Sequence, residues 1–125
     1  MVDHPAPEGR MVVLVEDDQA LASALQFSLR LEGWEVAHRV SGEALLGEPL
    51  PKGPFCLVID IKLPGISGVL ALTRLRRRGI ANPAILITSD PTPALQRAAV
   101  RLQAEIVEKP LISGDLFAAI RRRLA

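Results

Sequence analysis

The sequence predicts an α/β domain: a five-stranded parallel sheet of order 2-1-3-4-5, doubly wound with helices into a three-layer α/β/α sandwich. Two observations carry this reading. Short apolar runs recur along the chain, at Met11-Val12-Val13-Leu14-Val15, Phe55-Cys56-Leu57-Val58-Ile59 and Ala84-Ile85-Leu86-Ile87. Their lack of alternation suits strands covered on both faces, as in a parallel sheet. Between them lie segments whose apolar residues recur at helical spacing, and strictly alternating strands and helices mean parallel strands joined by crossover helices.

The first strand stops at Glu16-Asp17-Asp18, where Asp18 is expected to cap a helix over 19–31 with apolar positions at Leu21, Ala24, Leu25 and Leu29. Gly33 ends that helix. A second strand is expected over Trp34 to Val40, then a short helix capped by Ser41 and reaching Gly47. A Pro/Gly-rich loop leads to the third strand, which closes on Asp60. Leu63-Pro64-Gly65-Ile66-Ser67-Gly68 reads as a turn, with Ser67 opening a helix to about Arg78 and Gly79 closing it. The fourth strand ends at Thr88. Thr92 caps the next helix and Pro93 suits its first position. A brief fifth strand, Glu105 to Val107, precedes Glu108-Lys109-Pro110, and the last helix starts at Ser113 or Asp115. Residues 1–10 are polar and Pro-rich and are expected to form a flexible tail, leaving 11–125 as one domain.

Composition narrows the function. Hydrophobic residues make up 49% of the 125, enough for a core, and the net charge of +1 gives no bulk attraction to nucleic acid or membrane. No apolar run approaches the roughly 20 residues of a membrane span. Cys56 is the single cysteine, so an internal disulfide and a cysteine zinc site are excluded, and its apolar neighbours predict a buried inert thiol. A soluble cytoplasmic protein is expected. His4 and His38 lack a companion at ligand spacing and read as surface residues. The arginines at 74, 76–78 and 121–123 read as solvated helix ends that suit the helix dipole.

The chemistry collects at strand ends. In open α/β sheets ligands bind beyond the carboxyl ends of the strands, where strand order reverses. That rule brings Glu16 and Asp17 beside Asp60, with Thr88 and Lys109 approaching from the fourth and fifth strands. Carboxylates so placed repel one another, and a hard cation with oxygen ligands, Mg²⁺ above all, relieves the repulsion. Asp60 is then a carboxylate nucleophile able to attack phosphorus, with Lys109 and Thr88 placed to hold phosphoryl oxygens.

With these motifs in view the chain resembles the CheY-like receiver domain of bacterial two-component response regulators. Four stretches carry the resemblance: 12–18, 57–68, 85–89 and 107–110, the second being the most specific, an aspartate followed by Pro64-Gly65 and Gly68. The resemblance implies Asp60 as phosphoacceptor, Thr88 as switch hydroxyl and Lys109 as phosphate-pairing lysine. It implies Mg²⁺ held by Glu16, Asp17, Asp60 and the backbone carbonyl of Lys62, and a cis Lys109-Pro110 bond. The implied donor is a sensor histidine kinase or phosphotransfer protein. The implied readout is a downstream effector or a C-terminal output domain, with homodimers through the fourth helix, fifth strand and fifth helix, where Ile106, Leu111 and Leu116 are expected. Such a domain is no enzyme beyond self-phosphorylation and autodephosphorylation, and binds no nucleic acid itself.

The sequence departs from the family pattern in places. Ile106 stands where an aromatic switch residue is usual, Ser89 where a smaller residue is, and Gln103 where glycine is common. Lys62 and Asp90 are expected to pair across the site. Lys62, two residues past Asp60, also argues against a phosphatase of the haloacid dehalogenase type, which needs a second aspartate there. No phosphate-binding glycine loop is present. The remaining rival is a receiver-fold interaction module that works without phosphorylation.

Overall fold

The computed structural model describes residues 10–111 and 114–124. The tail expected over 1–10, with His4, lies outside these residues except for Arg10. Arg10 is not loose: its carbonyl accepts from Glu35 N at 2.8 Å, and its guanidinium lies 4.8 Å from the centre of the Trp34 ring. Ser113, one of the two expected starts of the last helix, is also outside.

The elements are β1 (Met11–Val15), α1 (Gln19–Leu31), β2 (Glu35–Arg39), α2 (Gly42–Gly47), β3 (Cys56–Asp60), α3 (Gly68–Arg77), β4 (Ala84–Thr88), α4 (Pro93–Leu102), β5 (Ala104–Glu108) and α5 (Asp115–Leu124). The strands form one sheet in the order β2-β1-β3-β4-β5, all neighbours parallel. The expected caps are in place. Asp18, Ser41, Ser67 and Thr92 each accept a backbone N–H three residues on, which satisfies an otherwise orphaned donor of the first turn.

Alternation along the strands splits the core in two. Val13, Val15, Leu57, Ile59 and Leu86 pack against α2, α3 and α4 through Leu45, Leu72, Leu75 and Leu95. Val12, Leu14, Val58, Ile85 and Ile87 pack against α1 and α5 through Leu25, Leu29, Leu116 and Ile120. Every residue of β3 and β4 is buried, which is why those segments read as unbroken apolar runs. Cys56 is fully buried, and burial pushes its thiol up to about 12, so it is inert.

Two expectations on the helices are corrected. Leu116, expected on the output face, is 3% exposed, because α5 turns it inward. Arg76, expected on a solvated helix end, instead reaches inward and donates to the carbonyls of Leu102, Ile80 and Asn82 at 2.7–2.9 Å. It ties the end of α3 to the end of α4 and to the segment entering β4. The strand-entry position Gln103 adopts a left-handed conformation (φ 55°), which costs a side-chain-bearing residue roughly 1–2 kcal/mol.

Candidate functional site

The carboxyl ends of β1, β3, β4 and β5 meet on one edge of the sheet. Glu16 follows β1. Its N–H donates to Arg39 O at 3.0 Å, which extends the β1–β2 ladder by one residue. Its carboxylate Oε2 accepts from Asp18 N at 3.1 Å. Glu16 is 3% exposed, and burial, opposed by the Asp18 N–H but reinforced by the negative charge of Asp60, pushes its carboxyl up to about 7. Asp17, the next residue, is exposed and makes no hydrogen bond or ion pair among the described residues.

Asp60 is the last residue of β3 and is buried. Both its oxygens have donors: Oδ1 accepts from Lys62 N at 2.9 Å and Oδ2 from Lys109 Nζ at 2.7 Å. The ion pair joins a half-buried ammonium to a carboxylate that is 5% exposed. Burial works against the charge of Lys109. The hydrogen bond to Asp60 and the negative charges of Asp60, Glu16 and Asp17 outweigh it and hold the lysine above its ordinary range. Lys109 therefore stays charged at neutral pH and supplies a fixed positive charge beside Asp60. The Lys109-Pro110 bond is cis.

The loop after Asp60 is built by close approach. Gly68 packs its Cα against the strand end: a Cβ there would lie 2.4 Å from Asp60 O. Gly65 has φ +76° and sits under the Glu43 carboxylate, which accepts from Ile66 N at 3.2 Å. Only glycine satisfies both demands at position 65. Glu43 went unremarked in the sequence because nothing in its neighbourhood indicates that α2 reaches this loop.

Thr88 ends β4 and is buried. Its hydroxyl is turned to its own chain, accepting from Asp90 N at 3.0 Å and donating to Asp90 O at 3.2 Å. Asp60, Ile61, Lys62, Thr88, Ser89, Asp90, Thr92 and Lys109 line a cleft of about 320 Å³. Lys62 and Asp90 both border it but form no ion pair, correcting that expectation; Lys62 is exposed, and the backbone of Asp90 is taken up by Thr88. His38 is corrected as well. It is half-buried, and its Nε2 lies 2.8 Å from the Glu16 carbonyl oxygen.

The structure thus brings Glu16, Asp60 and Lys109 together, places Thr88 at the same mouth with its hydroxyl engaged elsewhere, and leaves Asp17 and Lys62 at the rim. The donor chemistry fits a hard divalent cation: three carboxylates and a backbone carbonyl, with a buried Glu16 that otherwise holds a proton near neutrality. The side chains are not gathered as ligands, since among the described residues no three acidic, His or Cys groups converge on a common point. Asp60 receives one donor on each oxygen, from Lys62 N and Lys109 Nζ, which leaves each oxygen a further lone pair.

The family model described as the response regulator receiver domain matches residues 12–121. The transcriptional regulatory protein FixJ of Azorhizobium caulinodans is 36% identical over 121 residues, covering 94% of this chain and 56% of that protein. The sensory transduction protein RegX3 of Mycobacterium tuberculosis is 35% identical over 111 residues, covering 88% of this chain and 48% of that protein. The chain therefore spans about half the length of these relatives. Among solved structures, the response regulator TrrA of Thermotoga maritima, crystallised in complex with Mg²⁺-BeF, superposes with a TM-score of 0.73. It is 21% identical, with 93% of this chain and 99% of that one covered, and shows the shared fold. No described helix is long and apolar enough to cross a membrane.

Proposed function

The chain belongs to the response regulator receiver family of two-component signalling, and from that premise we propose that Asp60 accepts a phosphoryl group in a Mg²⁺-dependent reaction. The observation that carries the reading is the buried Asp60 carboxylate held at 2.7 Å by Lys109, beside a second buried carboxylate, at the mouth of the cleft that Thr88 also lines. An Asp60 carboxylate oxygen attacks phosphorus of a phosphohistidine; the P–N bond breaks, and the imidazole leaves and regains a proton. Lys109 follows the negative charge from the carboxylate to the phosphoryl oxygens. Thr88 leaves its turn with Asp90 and donates to one of those oxygens.

Glu16, Asp17, Asp60 and the Lys62 carbonyl would hold Mg²⁺, which supplies charge neutralisation for the transferring group. The phosphoryl donor is a sensor histidine kinase or phosphotransfer protein. The phosphorylated state acts on a downstream effector or an output domain, in the cytoplasm, without direct nucleic-acid contact by this domain. The face formed by α4, β5 and α5 is the proposed homodimer surface, with Val100 of α4, 80% exposed, available to it and Leu116 turned inward.

The test is intact-mass analysis after incubation with Mg²⁺ and acetyl phosphate. Wild type gains the mass of one phosphoryl group, hydroxylamine removes it as expected of an acyl phosphate, and Asp60→Asn gains nothing. If the folded wild type gains nothing with Mg²⁺ present, the reading moves to a phosphorylation-independent interaction module, the alternative that Ile106 in place of an aromatic favours.

A further inference from the structure

The acidic segment Glu16-Asp17-Asp18 is a loop, yet the structure fixes it on either side of Asp17. Glu16 is tied by its N–H to Arg39 O at 3.0 Å, and Asp18 N–H to the Glu16 carboxylate at 3.1 Å. The remaining backbone group of Glu16, its carbonyl, directly precedes Asp17 and is met at 2.8 Å by His38 Nε2. His38 lies on β2 next to Arg39, so one strand end holds both the amide and the carbonyl of Glu16.

A carbonyl oxygen only accepts, so Nε2 must carry a hydrogen. The peptide plane between Glu16 and Asp17 is the element that this bond orients. Rotating that plane swings the Asp17 side chain, which has no partner of its own among the described residues. Asp17 is free to bind a cation, and its aim is set by its neighbours alone.

We propose that His38 is a positioning residue for the cation site: its Nε2–H holds the Glu16 carbonyl and so fixes the peptide that carries Asp17 to the rim of that site. The proposal rests on the Mg²⁺-dependent reading of the site. It makes a residue of β2, which contacts neither phosphoryl group nor cation, a determinant of cation affinity. Residues that orient ligands from behind typically change metal affinity 10–100-fold when removed.

The experiment has three parts. Long-range ¹H–¹⁵N spectra of the wild type report the imidazole tautomer directly; Nε2–H is expected, and an Nδ1–H tautomer overturns the proposal without any variant. Calorimetric titration with Mg²⁺ alone then compares wild type, His38→Met, which has similar length and no donor, and His38→Gln, whose amide can donate to the same carbonyl. Met is expected to weaken Mg²⁺ about tenfold, and Gln to recover most of that loss. Equal affinity in Met and wild type, or Met and Gln equally weakened, overturns it. Thermal melts in excess EDTA separate loss of fold from loss of site: the proposal requires Met and Gln both to be fully folded at the titration temperature while differing in Mg²⁺ affinity. Should the folded wild type bind no Mg²⁺, the functional reading fails first and this one falls with it, an outcome distinct from a wild type that binds and a Met variant that binds equally.

Discussion

Gly68→Ala tests how tightly the loop after Asp60 is built. Gly68 is the first residue of α3, and its N–H donates to Ile61 O at 3.0 Å. A Cβ at this position would lie 2.4 Å from Asp60 O, 2.8 Å from Ile59 Cγ2 and 2.8 Å from Ile61 Cα. Ordinary carbon–oxygen contacts begin at about 3.3 Å and carbon–carbon contacts at about 3.5 Å. The start of α3 must therefore retreat by roughly 0.7–0.9 Å on these contact distances. Two of the three atoms met are backbone, so no side-chain rotation relieves the contact. Overpacking of this kind costs typically 1–3 kcal/mol, and replacing glycine returns up to about 1 kcal/mol through the unfolded chain. A net loss of about 1–2 kcal/mol is expected, or a melting point lowered by roughly 4–10 °C for a domain of this size. Urea unfolding measures it, with the midpoint falling at constant slope. Because the displaced atoms are those of Asp60 and its neighbours, phosphoryl uptake from acetyl phosphate should fall as well. Gly47→Ala is the control: a Cβ there meets nothing within 4 Å, so its stability should hold or rise. Wild-type stability in Gly68→Ala would refute the reasoning.

Other perturbations read other parts of the molecule. Glu16 binds its proton more tightly folded, at about 7, than its ordinary 4.5. The folded state then holds the extra proton between those values, so in EDTA this group's contribution to stability falls as pH rises from about 4.5 to about 7; Glu16→Gln should flatten that part of the melting-temperature profile. Gln103→Gly removes the left-handed strain at φ 55° and, after the unfolded-chain penalty of glycine, should stabilise by about 0.5–1 kcal/mol in urea unfolding. Arg76→Leu strips donors from three carbonyls and should cost about 1–3 kcal/mol, measured the same way.

The fold was legible because its central strands are buried, β3 and β4 throughout and β1 from Val12 on. Unbroken apolar runs at 12–15, 56–59 and 84–87 have one explanation in a chain of this length, and each helix start carries a side chain that can cap it. Strand edges were less legible. β5 extends one residue beyond the expected Glu105 to Val107 at each end, because pairing with β4 rather than apolar content sets its length. The site was legible in position, since the sheet rule alone puts Glu16, Asp60, Thr88 and Lys109 on one edge. Its second layer was not. His38, Glu43 and Arg76 act through backbone carbonyls or amides of distant segments, and such partners leave no pattern in sequence. Leu116 was misassigned for a related reason: helical spacing shows that a face exists without showing which way it turns.

Arg76 has a mechanical consequence. By gripping Leu102 O as well as the segment that enters β4, it makes the far end of α4 a fulcrum. The opposite end begins at Thr92-Pro93, just past the turn that Thr88 makes with Asp90. Were that turn released, the hydrogen bonds at the clamped end would favour a tilt of α4 about that end over a slide along its axis. Ten residues of helix span about 15 Å, so a 1 Å displacement of the first turn is a tilt of roughly 4°. The lever is rigid and short, and its largest travel falls at the end nearest Asp60.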